Sequence, residues 1–357
     1  MIADGNYSRI LLIRRKALGD ALVTIPAVRE VARKWADAHI DLVIDRPFAP
    51  LIQALVPEVE VVVWPTGPDE SWIRRLLGAR YDLVIDWLGS PRTAGWTLLT
   101  GARTRVGYDL PRRRWAYNIR VPRNSLARES LTEFAGEAFM DPLRALGLQP
   151  SPWRSGSAVT EGFVPEPDRL GEAYRKWAAL GLTDSRPLVI LVMSATWSAK
   201  AWPDDAIVKL FALLKAEGIR PLLVTGPGDE TLEDRLRNML PPDGIAPPTN
   251  LLELADLLGH SRLFVGTDCG VRHLAACLNI PTVTLFGPTD PGGWNPAVPT
   301  HVALRTGEDC SPCDLARCPV PGHPCMAELT PEMVMIPVRK LLDRSLEPDS
   351  RTEGIRE

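Results

Sequence analysis

The sequence predicts an α/β protein made of two Rossmann-like halves, each a parallel sheet covered by helices. Three observations predict it. Short apolar, β-branched runs alternate with helical stretches from residue 9 to about 108. A segment from Pro150 to about Pro167, rich in Pro, Ser and Gly, then breaks every periodicity. The same alternation resumes at Leu188. A chain of 357 residues exceeds one typical core, so the boundary is placed in the broken segment. Residues 1–160 form a first domain, 161–345 a second, and 346–357 a polar tail.

Each element follows from its local pattern. Arg9–Ile13 reads as a strand covered on both faces, because its apolar run is continuous rather than alternating. The loop Arg14–Asp20 leads into a helix reaching about Trp35. Strands are expected at Ile40–Ile44, Val59–Trp64, Tyr81–Trp87 and Thr104–Tyr108, with helices between them. In the second half the reading is strand Leu188–Met193, helix Asp204–Glu217, strand Pro221–Thr225 and helix Glu230–Leu240. Strands Leu263–Val265 and Thr282–Phe286 complete it. The two sheets are expected to open toward each other across a cleft.

Composition narrows the class. Hydrophobic content of 45% with 24% charged residues describes a soluble globular protein, and a net charge of −3 gives no support for bulk nucleic-acid binding. No run approaches about 18 apolar residues, and the start lacks the pattern of a secretory signal. A cytoplasmic protein without a membrane span is therefore expected.

The richest stretch runs from Phe264-Val-Gly-Thr-Asp-Cys-Gly to Phe286-Gly-Pro-Thr-Asp290. Two strand ends deliver small residues to one sheet edge, and a helix starting at Gly270 aims its free N–H groups there, which suits a diphosphate. Gly266 and Gly270 are read as permitting close approach of a ligand. Asp268 and His273 offer a carboxylate and an imidazole about one helical turn apart. An ordinary strand–turn–helix with a capping Asp is the plainer account.

Four of the six cysteines form Cys310-x2-Cys313-x4-Cys318-x6-Cys325 in a Pro-rich stretch. In a cytosolic protein such a cluster indicates reduced thiols or a structural zinc or iron site.

Three motifs together resemble glycosyltransferase family 9, the ADP-heptose:lipopolysaccharide heptosyltransferases. They are Ile10-Leu-Leu-Ile-Arg-Arg-Lys-Ala-Leu-Gly-Asp20, Ser194-Ala-Thr-Trp-Ser-Ala-Lys-Ala-Trp-Pro203, and the stretch from Phe264 to Asp290. The resemblance extends over roughly residues 9–340. It implies a GT-B fold, with acceptor on the first half and nucleotide-sugar on the second. It matches Asp20 to a general base, Lys200 to a phosphate-contacting lysine and Glu230 to a ribose-binding carboxylate. Asp268, Cys269, Gly270 and His273 would surround the diphosphate, with Ser194 and Thr196 as secondary donors. Members usually carry Ser or Thr where this chain has Cys269, and a thiol donates poorly.

Competing accounts remain for each residue. Asp20 can be a helix cap, Lys200 a solvated loop lysine, Glu230 a first-turn partner of the helix dipole and His273 a packed histidine. A basic group, Arg103, Arg105, Arg112, Arg113 and Arg114, together with Arg14, Arg15 and Lys16, either faces solvent or grips an anionic acceptor. Adenine is assigned to the apolar side chains near Leu251–Leu254. The reading is an inverting transferase moving a heptose or related sugar from an ADP-activated donor to a lipopolysaccharide-core or similar glycan acceptor. The acceptor would be lipid-linked or glycan, met at the inner membrane face, and catalysis would need no cofactor. The rivals are a nucleotide-sugar-binding protein without catalysis and a GT-B sugar epimerase. A Rossmann oxidoreductase fits poorly, since Lys16-Ala-Leu-Gly-Asp20 replaces the Gly-x-Gly-x-x-Gly turn.

Overall fold

A computed structural model of the chain describes residues 5–65, 70–123, 134–151, 153, 176–177, 181 and 186–344. The expected linker at 150–167 lies almost wholly outside these residues, as does the tail after Glu347. The chain divides into two compact units, Met1–Phe163 and Val164–Glu357.

In the first unit the described strands are β1 (Arg9–Ile13), β2 (His39–Ile44), β3 (Glu60–Val63), β4 (Leu83–Asp86), β5 (Thr104–Tyr108) and β6 (Ile119–Val121). They form a parallel sheet in the order β3-β2-β1-β4-β5-β6. This is the doubly wound dinucleotide-fold order, and its reversal point lies between β1 and β4. Ile10, Leu11, Leu12 and Ile13 are completely buried, as the continuous apolar run required. Trp64, Trp72 and Trp96 pack with Leu11, Ile13 and Val43 into one core cluster.

The second unit contains β7 (Leu188–Val192), β8 (Arg220–Leu223), β9 (Leu263–Thr267), β10 (Thr282–Leu285) and β11 (His301–Leu304). Their order is β11-β10-β9-β7-β8, again all parallel, with the reversal between β7 and β9. Helices Asp204–Ala216 and Pro331–Arg344 pack together over this sheet, and Met326, Val334 and Val338 join its core.

Most expected elements appear with ends shifted by a residue or two. Among the elements that did not figure in the reading are β6, β11 and helices Leu251–Gly259 and Pro331–Arg344. The two strands are short edge segments, of three and four residues, too brief to show a period. Leu251–Leu254, assigned to an adenine wall, opens helix Leu251–Gly259, where Asn250 accepts from the Leu252 and Glu253 N–H groups.

Gly266 corrects one expectation. It lies inside β9, and a Cβ there would stand 2.3 Å from the Val192 carbonyl oxygen and 2.9 Å from the Phe264 ring. The missing side chain thus serves the contact of β9 with β7 rather than ligand approach. Gly266→Ala should cost about 3 kcal/mol, because backbone cannot yield as a side-chain tip can. An unchanged urea midpoint would show that the sheet spreads freely at this point.

Candidate functional site

Both carboxyl edges carry a carboxylate–cation pair at the strand-order reversal, the position where open α/β sheets bind ligands. In the first unit helix Leu18–Lys34 has Ala17 as its N-cap, and Asp20 in the first turn supplies the capping-box bond from the third helical position. Asp20 Oδ2 accepts from the Ala17 N–H at 3.1 Å, and Oδ1 meets Arg14 Nη2 at 2.7 Å. Arg14 is buried, donates to the Trp87 carbonyl at 2.9 Å and lies 4.6 Å from the Phe139 ring centroid. Its guanidinium is thus held between Asp20 and the Trp87 carbonyl.

The other basic residues separate into two groups. Arg15 pairs with Asp45 at 2.7 Å and stacks over Trp64, while Lys16 is exposed. Arg112, Arg113 and Arg114 sit in the loop leaving the carboxyl end of β5, on the same sheet edge as Asp20. Arg112 and Arg114 are exposed, Arg113 is half-buried, and Arg114 lies 3.2 Å from Asp109. Arg103 and Arg105 leave the expected cluster. Arg105 donates to the Ala116 and Ala102 carbonyls, and Arg103 to that of Asn6, so both brace backbone.

In the second unit Asp268 is the hub. It is buried at the end of β9, and its Oδ2 accepts from Lys200 Nζ at 2.6 Å and Thr289 Oγ1 at 2.8 Å. Arg272 Nη2 stands 3.5 Å from Oδ1. Burial alone would raise the Asp268 carboxyl, but Arg272 and Lys200 overcome it and hold it at about 2. Lys200 comes from the tight turn Ser198–Lys200, its ammonium 4.9 Å from the Trp197 ring centroid. Trp202 pins the exit of this turn by donating to the Leu329 carbonyl at 2.9 Å.

Arg272 was not singled out from sequence, although it stands in the first turn of helix Gly270–Cys277, four residues after Asp268. It is completely buried and donates to the Trp294 carbonyl and to His273 Nε2, both at 2.8 Å. Since a guanidinium only donates, His273 Nε2 is an acceptor. Burial, followed by the Arg272 charge, pushes the His273 imidazole well below its ordinary range, so it is neutral near pH 7. Among its direct ionic partners, the one negative charge of Asp268 faces the two positive charges of Lys200 and Arg272, a contact trio of net positive charge, with the Asp314 carboxylate within electrostatic reach of Lys200. Helix Gly270–Cys277 opens beside it with Cys269 as N-cap, whose thiol makes no capping hydrogen bond. Burial pushes that thiol up, so it remains protonated.

Ser194 and Thr196 follow β7, and Glu230 opens the helix after β8. Ser194 Oγ donates to Asp229 Oδ2, which also accepts from the Gly226 N–H at 2.9 Å. That hydroxyl thus donates to a carboxylate. Thr196 is exposed. Glu230 is the first residue of helix Glu230–Arg237, on the edge beyond β8, and accepts from the Gly228 N–H at 3.0 Å.

Metal-ligating geometry occurs elsewhere. Among the described residues, His39, Asp41 and Glu60 alone bring three ligand atoms within 4.8 Å of one another. Arg75 already lies 3.2 Å from Asp41 and 2.9 Å from Glu60, so the group is an ion-pair network at the amino end of β2 and β3. The cysteine thiols Cys310, Cys313, Cys318 and Cys325 are free, the last of them buried.

His301 gives this unit a pH dependence. Burial, then the Arg272 charge, lowers its imidazole to about 4. The unfolded chain takes up that proton near pH 6.5 and the folded chain near 4. Stability is thus full above pH 6.5 and declines as pH falls toward 4. At pH 5 the loss should be about 2 kcal/mol. His301→Gln should remove that portion of the slope in urea titrations at pH 5 and 7.5, and an unaltered slope would refute it.

Two Rossmann-like units, each with a paired carboxylate at its reversal point, have the architecture of GT-B glycosyltransferases. Solved structures agree on this fold. A family 9 glycosyl transferase from Veillonella parvula superposes with a TM-score of 0.76 at 20% identity, over 95% of this chain and 98% of that one. The ADP-heptose lipopolysaccharide heptosyltransferase II of E. coli gives 0.72 at 22%, over 94% and 99%. The chain belongs to glycosyltransferase family 9 (heptosyltransferase), whose model matches residues 70–323. It is similar to lipopolysaccharide heptosyltransferase 1 of Pseudomonas aeruginosa, with 29% identity over 322 residues, 85% of this chain and 86% of the relative. Among the described residues no helix is long and apolar enough to cross a membrane.

Proposed function

We propose that this glycosyltransferase moves a heptose from an ADP-activated donor to a lipopolysaccharide-core acceptor with inversion at the anomeric carbon. The observation that carries the reading is the cationic cluster at the β7–β9 reversal, where the Lys200 ammonium is held 2.6 Å from Asp268 beside the start of helix Gly270–Cys277. A departing diphosphate needs positive charge and free N–H groups at this location. Supporting the sugar assignment, an E. coli heptosyltransferase of the same fold was solved with ADP-2-deoxy-2-fluoro heptose, at 22% identity.

In the proposed step Asp20 takes the proton of the acceptor hydroxyl while that oxygen bonds to the anomeric carbon. The bond from the anomeric carbon to the donor phosphate oxygen breaks as the new one forms, and ADP leaves with the electron pair. Lys200, Arg272 and the helix end neutralise the charge gathering on its phosphates, so the step needs no divalent metal. Glu230 is assigned to the ribose hydroxyls. Arg112, Arg113, Arg114 and Lys16 are assigned to anionic groups of the acceptor, met at the inner face of the membrane. The experiment is ADP release from ADP-heptose with and without a heptose-deficient core acceptor. Acceptor-dependent release with a mass gain on the acceptor supports the reading. Tight ADP binding without release would make the protein a binding module.

A further inference from the structure

The side-chain hydrogen bonds of Arg272 are concentrated on one atom. Nη2 donates to His273 Nε2 and to the Trp294 carbonyl, both at 2.8 Å, which accounts for its two hydrogens. Asp268 Oδ1 lies farther off, at 3.5 Å. Nε and Nη1 are buried with no hydrogen-bond partner among the described residues. A guanidinium placed only to balance Asp268 would turn its fork onto the carboxylate, where two parallel bonds form. This one forgoes that pairing and leaves two buried donors unmet, which is unfavourable. Its short contacts go instead to an imidazole and to the last residue of helix Pro291–Trp294.

The consequence falls on His273. A guanidinium nitrogen offers no lone pair, so a contact of 2.8 Å requires Nε2 to be bare. That excludes the imidazolium, which is protonated on both nitrogens, and leaves the neutral ring with its proton on Nδ1. The ring is 5% exposed, and the Trp294 ring meets it edge-on, 6.0 Å between centroids. Nδ1 has no partner among the described residues, yet it is not sealed from solvent. A nearly buried ring thus keeps one N–H open to a ligand, on helix Gly270–Cys277 and within electrostatic reach of Lys200 and Asp268.

We propose that Arg272 is a positioning residue acting through His273: its Nη2 bond locks the imidazole as a hydrogen-bond donor whose Nδ1–H meets an oxygen of the nucleotide diphosphate. The diphosphate rests on the donor reading above, whereas the tautomer rests on the contacts of Arg272 alone. The opposite tautomer would turn a lone pair toward an oxyanion and repel it. Because the ring is neutral, its N–H adds a directed bond without adding a third cation beside Lys200 and Arg272. ADP is then gripped in place but still free to leave.

The test is nitrogen NMR at pH 7.5 on the full chain labelled with nitrogen-15 histidine. The sequence has five histidines, and the signals missing from His273→Asn assign those of His273. The wild type should show Nδ1 protonated and Nε2 bare. Arg272→Met, uncharged and of similar length, should show the proton on Nε2, and Arg272→Leu serves if that variant does not fold. A wild-type proton on Nε2 or on both nitrogens overturns the lock, as does a variant that keeps the wild-type pattern. ADP, but not adenosine, should move the Nδ1 signal. ADP that binds without moving it overturns the diphosphate contact. A chain that binds no ADP overturns that contact together with the donor reading, and leaves the tautomer as measured. Arg272→Met should weaken ADP binding about tenfold in the wild type. The loss should be under about threefold in His273→Asn, whose amide N–H takes the Nδ1 position with no tautomer to set. Equal losses in the two backgrounds would mean that Arg272 acts through its charge alone, and would overturn the positioning role.

Discussion

Asp20→Asn should lower turnover at least about a hundredfold while leaving ADP affinity nearly unchanged. The carboxylate has two acceptor positions on each oxygen, and its known partners, the Ala17 N–H and Arg14, take one on each. Positions therefore remain for an acceptor hydroxyl. An amide of the same shape cannot take up the proton, and its NH2 must face one of two donors already present. Helix Leu18–Lys34 loses little, since the amide oxygen can still accept from Ala17. ADP should be indifferent, because the residues assigned to it belong to the other unit. Full turnover of the variant in a coupled ADP-release assay would remove Asp20 from the chemistry.

Lys200→Ala should slow transfer by about 10²–10³ and weaken ADP binding as well. The variant cancels the net positive charge of the cluster, leaving Asp268 opposed by Arg272 alone. Lys200→Arg should recover only part of the loss, because a planar fork does not replace a compact ammonium seated between Asp268 and Trp197. Binding and rate must both change for the proposal to stand. If ADP affinity and turnover match the wild type, Lys200 is merely the structural counter-ion of Asp268.

The regular framework was legible where apolar runs were continuous and bounded by polar residues. Arg9–Ile13 and Thr104–Tyr108 were read with their observed limits for that reason. The site was legible as residue types on sheet edges, but its pairings were not. Arg14 beside Asp20 looked like one more basic residue in a row of three, and only the buried turn shows that it is turned inward. Lys200 and Asp268 are far apart in sequence and meet because β7 and β9 are neighbours. The Ser194–Asp229 pairing was not legible either, because nothing in the Ser194 motif announces Asp229, which arrives from the loop after β8.

The described partners of Asp20 all come from the chain before Phe163, and those of Asp268 all from the chain after it. Each half of the chemistry is wired within its own polypeptide segment. On the proposed assignment, changes confined to the leading segment would alter which glycan is extended without retuning the machinery that handles the activated sugar. Diversification of products from a constant donor is the evolutionary latitude that such separate wiring grants.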